Sequence, residues 1–325
     1  MILVIGEALI DLIGSADGGG KYQAVVGGAN ANVALALARR GVDQRFMGRI
    51  SSDGFGQQIR ERLSSNGVNL DYSISAREQT SLAVATIGDG GSASYSFYVD
   101  GTADWGWTDA ELPSAIELAS LDTKAVQFGC LAMAIAPGGL VLEQWLRGLY
   151  EVGESTLSHD LNIRSALGFE RASELARVLR INAHSHIIKA SDADIEWLYD
   201  LPAGAELDSI ATDWSQGGKL VVITRGGDGA TLFLNGNKLH AKAPKINLVD
   251  TVGAGDTFMA NLLAELDLVD ALGAEPIARL GNLSSSDLQR AAEIAAVAAG
   301  IVCERKGCEP PTLAETTARV AAQAQ

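Results

Sequence analysis

Asp250-Thr251-Val252-Gly253-Ala254-Gly255-Asp256-Thr257-Phe258 is the stretch whose reading decides the fold. An extended segment, Lys245 to Val249, leads into it. Met259, Leu262, Leu263 and Leu266 then repeat at helical spacing, so the stretch joins a strand-like segment to a helix. Gly253 and Gly255 let the backbone turn sharply and let a ligand approach without a Cβ in the way. The first amides of a helix have no partner within it and sit at its positive end, ready for an anion such as the charge on a phosphoryl group in transfer. Asp256 stands among those amides and can take a proton from a hydroxyl. The same residues also fit a plain tight turn with an acidic cap on its helix. Two other phosphate sites are excluded. No Gly-Lys-Ser/Thr follows a glycine loop, and Phe258 stands where a dinucleotide fingerprint needs Gly or Ala.

The stretch resembles the C-terminal signature of the ribokinase-like (PfkB-type) carbohydrate kinases. The resemblance implies that Asp256 is the catalytic base and that the amides of Gly253, Ala254 and Gly255 form an anion hole. Working outward, Gly27-Gly28-Ala29-Asn30-Ala31-Asn32 opens a helix that runs to Arg40 and ends on Gly41, a good C-cap. Read alone, its asparagines only cap; as a likeness to the family's N-terminal signature, Gly27, Gly28 and Asn32 contact the sugar.

Ile2 to Ile5 is a β-branched run without alternation, the mark of a strand covered on both faces. Asp11 follows it, either as a loop residue or as a carboxylate at the C-terminal edge of a parallel sheet, where α/β proteins place their sites. In the family an Asp here binds sugar hydroxyls, and Gly6 to Leu12 looks like the fructokinase branch. Gly48 to Gly56 reads as a structural polar loop before a helix over Gln57 to Leu63. Leu82 to Thr86 and Tyr95 to Val99 read as an antiparallel hairpin around Asp89-Gly90-Gly91. With the glycine-rich Gly14 to Tyr22 segment, it resembles the family's small β lid, spanning about residues 13–26 and 80–103. Gly101-Thr102-Ala103-Asp104 follows, and the likeness gives Asp104 a sugar-binding or hinge role.

From Trp105 the rhythm is strand, helix, strand, helix. Asp160-Leu161-Asn162-Ile163-Arg164 looks like a segment of fructokinases and 2-keto-3-deoxygluconate kinases. Arg164 is either a surface arginine or a bidentate holder of substrate or phosphate. The family often carries Asn-x-x-Glu after the next strand; Ser191 and Asp194 stand there instead, with Asp194 tied to Mg²⁺ through water. The resemblance places ATP against Lys189, Ser191, Thr224, Gly226, Gly229 and Gly307. It makes Asp250 the carboxylate of a monovalent cation such as K⁺. Ser286 and Gln289 have capping-box spacing for a final long helix, Asp287 to Cys303.

The 325 residues are 47% apolar and 20% charged, enough for a large core and unlike a disordered chain. The formal net charge of −15 makes nucleic acid and anionic membranes poor partners. The three cysteines read as reduced thiols of a cytoplasmic protein. The expected architecture is one α/β domain over 1–325, a doubly wound, mostly parallel sheet with a small β-strand lid. The expected reaction is transfer of the γ-phosphate of ATP, with Mg²⁺, to the primary hydroxyl of a sugar. Fructose is favoured; 2-keto-3-deoxygluconate, ribose or a nucleoside are alternatives, and a non-catalytic sugar-binding regulator is the alternative of another class. An exposed lid edge invites a homodimer.

Overall fold

The computed structural model describes residues 1–14, 20–87 and 93–323, so the expected Asp89-Gly90-Gly91 turn and part of the Gly14 to Tyr22 segment lie outside the described residues. The strands are β1 (Ile2–Ile5), β2 (Leu9–Gly14), β3 (Tyr22–Gly27), β4 (Gln44–Met47), β5 (Arg49–Ser51), β6 (Ile74–Ala76), β7 (Leu82–Ile87), β8 (Ala93–Tyr98), β9 (Ala125–Gly129), β10 (Thr156–Asp160), β11 (Ile187–Ser191), β12 (Leu220–Thr224), β13 (Ala230–Leu234) and β14 (Asn237–Ala241). The helices are α1 (Ala29–Arg40), α2 (Gly54–Ser65), α3 (Ala115–Ser120), α4 (Leu131–Ala134), α5 (Gly138–Val152), α6 (Arg171–Ala183), α7 (Asp192–Leu198), α8 (Asp208–Trp214), α9 (Ala254–Leu268), α10 (Pro276–Gly281), α11 (Ser285–Cys303) and α12 (Leu313–Gln323).

The large sheet has the order β14-β13-β12-β11-β10-β9-β1-β4. Its pairs from β4 to β12 are parallel, and β13 and β14 close it antiparallel. Helices cover both faces, which is why β1 and β12 are apolar at nearly every position. On one face α1, α9 and α11 bury Leu37, Met259, Leu263 and Ala295 against Ile2, Val4 and Val222. On the other, α5 and α6 bury Leu142, Leu146 and Ile181 against Leu3, Val126 and Leu157. Met259, Leu262, Leu263 and Leu266, the expected stripe, are all buried.

A second sheet has the order β3-β2-β7-β8. Asp11 belongs to it. It pairs with Val25 and Ala83 on strand β2, so the loop reading of that residue is replaced by a strand that starts at Leu9. The apolar Leu9 and Ile10 give a strand signal that the short gap after β1 obscured.

Two boundaries differ from expectation. Helix α11 is capped by Ser284, whose Oγ accepts from the Asp287 amide at 3.1 Å, two residues ahead of Ser286. The Gly48 to Gly56 loop contains β5, and α2 begins at Gly54 behind Asp53. Asp53 accepts from the Gly56 amide at 2.8 Å and from the Thr80 amide and hydroxyl at 2.9 and 2.6 Å, tying α2 to the approach of β7. Burial pushes its carboxyl up, but the Thr80 and Gly56 bonds outweigh this and hold it below the ordinary value. Its contribution to stability is therefore present above the unfolded-state value and fades as pH falls through the lower folded value. Asp53→Ala should cost about 1–2 kcal/mol in urea unfolding at neutral pH, and that difference should shrink in acid. A loss that does not change with pH would mean the carboxylate charge is not what matters.

Candidate active site

The C-terminal ends of β1, β9, β10, β11 and β12 open onto one cavity of about 550 Å³, walled on the far side by Leu9, Asp11, Ala83 and Phe97 of the second sheet. Helix α9 points its N-terminus into this cavity through Thr251 to Asp256. The structure thus brings together Asp11, Gly28, Asn32, Arg164, Lys189, Ser191, Asp194, Thr224, Gly253, Ala254, Gly255 and Asp256.

Gly253 sits at φ +77 as the residue before α9, in the left-handed region that glycine adopts without strain. A Cβ there would lie 2.3 Å from Cys308 Sγ. The Ala254 amide turns to the Thr251 carbonyl at 3.2 Å, and the Thr257 amide to the Gly253 carbonyl at 2.8 Å. Among the described residues the amides of Gly253, Gly255 and Asp256 have no such acceptor, so the donors left unpaired flank Ala254, whose own amide is engaged.

Asp256 is buried, and its Oδ2 accepts from Asn32 Nδ2 at 2.9 Å. Burial pushes its carboxyl up to about 7, with Asp160 adding to the rise and the Asn32 bond, Lys189 and Arg164 opposing it. A carboxylate tuned to that range is suited to accepting a proton near neutral pH. Lys189 reaches from β11 to Asp160 at the end of β10, Nζ to Oδ2 2.7 Å. The two are opposite each other in the parallel register.

Asp11 is pushed up to about 6 by burial, against the pull of Arg164. Gly27 makes room for it, since a Cβ there would sit 2.1 Å from Asp11 Oδ2. Gly28, at φ +107, brings the start of α1 within 2.6 Å of the Glu7 carbonyl, measured from where its Cβ would stand. Arg164 Nη1 donates to Asn162 Oδ1 at 2.5 Å. Burial opposes its charge, but Cys130, Asp256, Asp194 and Glu7 outweigh that and hold the guanidinium firmly protonated. Ser191 caps α7, and Asp194 accepts from the amides of Ser191 at 2.8 Å and Ile163 at 2.9 Å.

Other expected residues lie outside the cavity lining. Asp104 is buried beneath it, accepting from the Ala8 amide at 2.9 Å and from Ser81 Oγ at 2.5 Å. Both of its oxygens hold protein groups, and it joins the β1–β2 turn to the start of β7. Gly226 and Gly229, at φ +48 and +88, shape the turn between β12 and β13. The Gly307 amide donates to Asp250 Oδ2 at 2.9 Å, and the Val252 amide to Asp250 Oδ1 at 3.1 Å.

Two residues with a part in the site escaped the reading of the sequence. Glu7 is 1% exposed and accepts from the Ala29 amide at 3.0 Å, Asn30 Nδ2 at 3.2 Å and the Ala132 amide at 3.3 Å. It thereby holds the starts of α1 and α4 to the end of β1. Its signal was an acidic residue set directly after a buried strand. Asp160 is the other, and its signal was an acid at the end of one buried strand and a lysine within the next.

No group of three or more His, Cys, Asp or Glu among the described residues could hold a metal by itself. Asp194 lines the cavity beside the end of β11, with both oxygens already oriented by amides. That suits Mg²⁺, which keeps its waters and takes its remaining ligands from phosphates.

A buried carboxylate near neutrality, acceptorless helix amides and an ammonium around one cavity define a phosphotransferase acting on a hydroxyl. The chain belongs to the pfkB family of carbohydrate kinases, whose family model matches residues 1–315. It is 36% identical over 286 residues to a fructokinase of Rhizobium leguminosarum bv. trifolii, covering 86% of this chain and 84% of that one. It is 31% identical to a fructokinase of Klebsiella pneumoniae, covering 82% and 84%. Among solved structures, it superposes with TM-score 0.80 and 25% identity on a Vibrio cholerae O395 fructokinase double mutant with fructose, ADP and potassium ion bound, covering 98% and 97%. A Xylella fastidiosa fructokinase with bound ATP, 23% identical with TM-score 0.87, shares the fold over 100% of this chain and 99% of that one.

Proposed function

We propose that this carbohydrate kinase transfers the γ-phosphate of ATP to the primary hydroxyl of fructose. The observation that carries the reaction is Asp256, buried with its carboxyl raised to about 7 beside helix amides that have no acceptor among the described residues. Asp256 takes the hydroxyl proton, Asn32 holds its carboxylate in place, and the amides of Gly253 and Gly255 receive the charge that develops on the phosphoryl oxygens. Mg²⁺, held through water by Asp194, supplies neutralising charge to the phosphates when bound. The exposed apolar Leu248, Val249 and Val252 flank Asp250, which accepts from the Gly307 amide, and offer a surface for adenine. Asp250, fixed by two amides, is the carboxylate available to a monovalent cation such as K⁺.

Charge decides among substrates. The sugar end of the cavity carries Asp11 and Glu7 with Leu9, Ala83, Phe97 and Leu131. Among the described residues, Arg164 and Lys189 are the cations in the lining; Lys189 is paired to Asp160, and Arg164 bonds to Asn162 within the field of Asp256, Asp194 and Glu7. An acid sugar would set its carboxylate against like charge. A neutral ketohexose finds hydroxyl acceptors instead. The second sheet closes over it as a lid, excluding water that would otherwise hydrolyse ATP. The protein acts in the cytoplasm with its three buried cysteines reduced, and the open edges of the lid sheet suit pairing with a second copy.

Purified enzyme assayed with ATP should show kcat/KM for fructose at least about tenfold above that for 2-keto-3-deoxygluconate, ribose and nucleosides. Preference for the acid sugar would overturn the fructose assignment. No turnover with any sugar, alongside sugar binding, would favour a regulator.

A further inference from the structure

Lys189 is 4% exposed, and among the described residues its ammonium has one protein acceptor, Asp160 Oδ2 at 2.7 Å. An ammonium carries three donors, so two remain. The position of that ammonium shows where they face. A Cβ added to Gly255 would lie 3.2 Å from Lys189 Nζ, so the group borders the turn whose amides have no acceptor. Lys189 lines the cavity, whereas Asp160 does not. Asp160 is itself 5% exposed, and its Oδ1 is buried without a hydrogen-bond partner among the described residues. Among the described residues Asp160 has no other side-chain partner, and the parallel register of β10 and β11 sets it directly beside Lys189.

A buried lysine ordinarily tends to lose its proton. Burial does push Lys189 down, but Asp160, and then Asp256 and Asp194, outweigh it and keep the ammonium charged. A flexible four-carbon stem is also a poor positioner of a point charge unless something fixes its end. Asp160 supplies both needs from the side away from the ligand.

We propose that Asp160 is a positioning residue for phosphoryl transfer, fixing the Lys189 ammonium so that its two remaining N–H groups join the Gly253 and Gly255 amides on the oxygens of the moving phosphoryl group. This rests on the kinase reading above. The gain falls on the transition state, where charge on those oxygens is redistributed, more than on sugar binding.

The test is a double-mutant cycle with Asp160→Asn and Lys189→Met, measuring kcat and both KM values, with wild-type fructose phosphorylation as the reference that stands or falls with the kinase reading. Asp160→Asn should lower kcat about 10²-fold with the fructose KM within about threefold of wild type. Adding it to Lys189→Met should cost little more than Lys189→Met alone, because the two act as one unit. The pH profile gives a separate readout. Asp160 raises the Asp256 carboxyl, so the acid limb of kcat should move to lower pH in Asp160→Asn. Additive losses in the cycle, or a raised fructose KM with unchanged kcat, would overturn the proposal while leaving an active wild-type kinase in place. Should Asp160→Asn not accumulate as folded protein, Asp160→Glu serves: it keeps the charge but displaces the ammonium, and must still lower kcat at constant fructose KM. Unchanged kcat in that variant would equally overturn the idea.

Discussion

Asp256→Asn should lower kcat by at least about 10²-fold while leaving the fructose KM close to wild type. The amide keeps the shape and the contact with Asn32 but cannot take a proton. The wild-type pH profile is the companion measurement. With the carboxyl at about 7, the base is protonated below that pH, and kcat should fall toward acid with its midpoint near neutrality. Stability should move the other way. A carboxyl raised in the folded state favours its protonated form, so its charge opposes folding above the folded value. Asp256→Asn should therefore be more stable than wild type at about pH 8, and this advantage should fade as pH falls through about 7 toward the unfolded carboxylate range. Turnover by Asp256→Asn within about tenfold of wild type would remove the carboxylate from the chemistry.

Gly253→Ala should be nearly as damaging through geometry alone. Its φ of +77 disfavours any side chain, and the new Cβ would meet Cys308 Sγ at 2.3 Å and Cys308 Cβ at 2.9 Å. Cys308 is not free to retreat. Arg62 donates to its carbonyl at 3.2 Å and to the Glu309 carboxylate that follows. The turn must then rotate, and the amides of Gly253 and Gly255 leave the place where charge develops. Misplacing such donors costs about 10²–10³-fold in kcat. The matching substitution Gly41→Ala, a left-handed helix cap with open space around it, should cost about 1 kcal/mol of stability and leave kcat unchanged. If Gly253→Ala turned over fructose as well as Gly41→Ala, the turn would be no more than a helix start.

These two residues could be singled out in the sequence because the features that mark them are local. Asp256, the glycines and the helix stripe lie within one short stretch, and periodicity alone marks the helix. The apolar strands β1 and β12 were legible for a similar reason, since burial on both faces leaves short runs of Ile, Val and Leu. What stayed hidden depends on pairing across the sheet. Leu9 and Ile10 hint at a strand, but nothing near Asp11 in sequence says that Val25 and Ala83 will be its partners. Nothing near Asp160 says that Lys189 will be its neighbour. Asp104 shows the converse. Its neighbours suggested a ligand, but burial turned its carboxylate to Ala8 and Ser81. Ser191 and Asp194 kept the spacing expected of a nucleotide-side pair, and the structure adds that they also cap α7.

The bond from Asn32 to Asp256 joins positions 224 apart in the sequence. During synthesis the first of these leaves the ribosome long before the second exists, and α11, which packs on α9, follows later still. A growing chain can therefore lay down β1, β4 and β9 before Asp256 and its turn exist. Catalytic power should arrive abruptly, with the last quarter of translation, and shortened products from the early part of the message would be inert toward ATP.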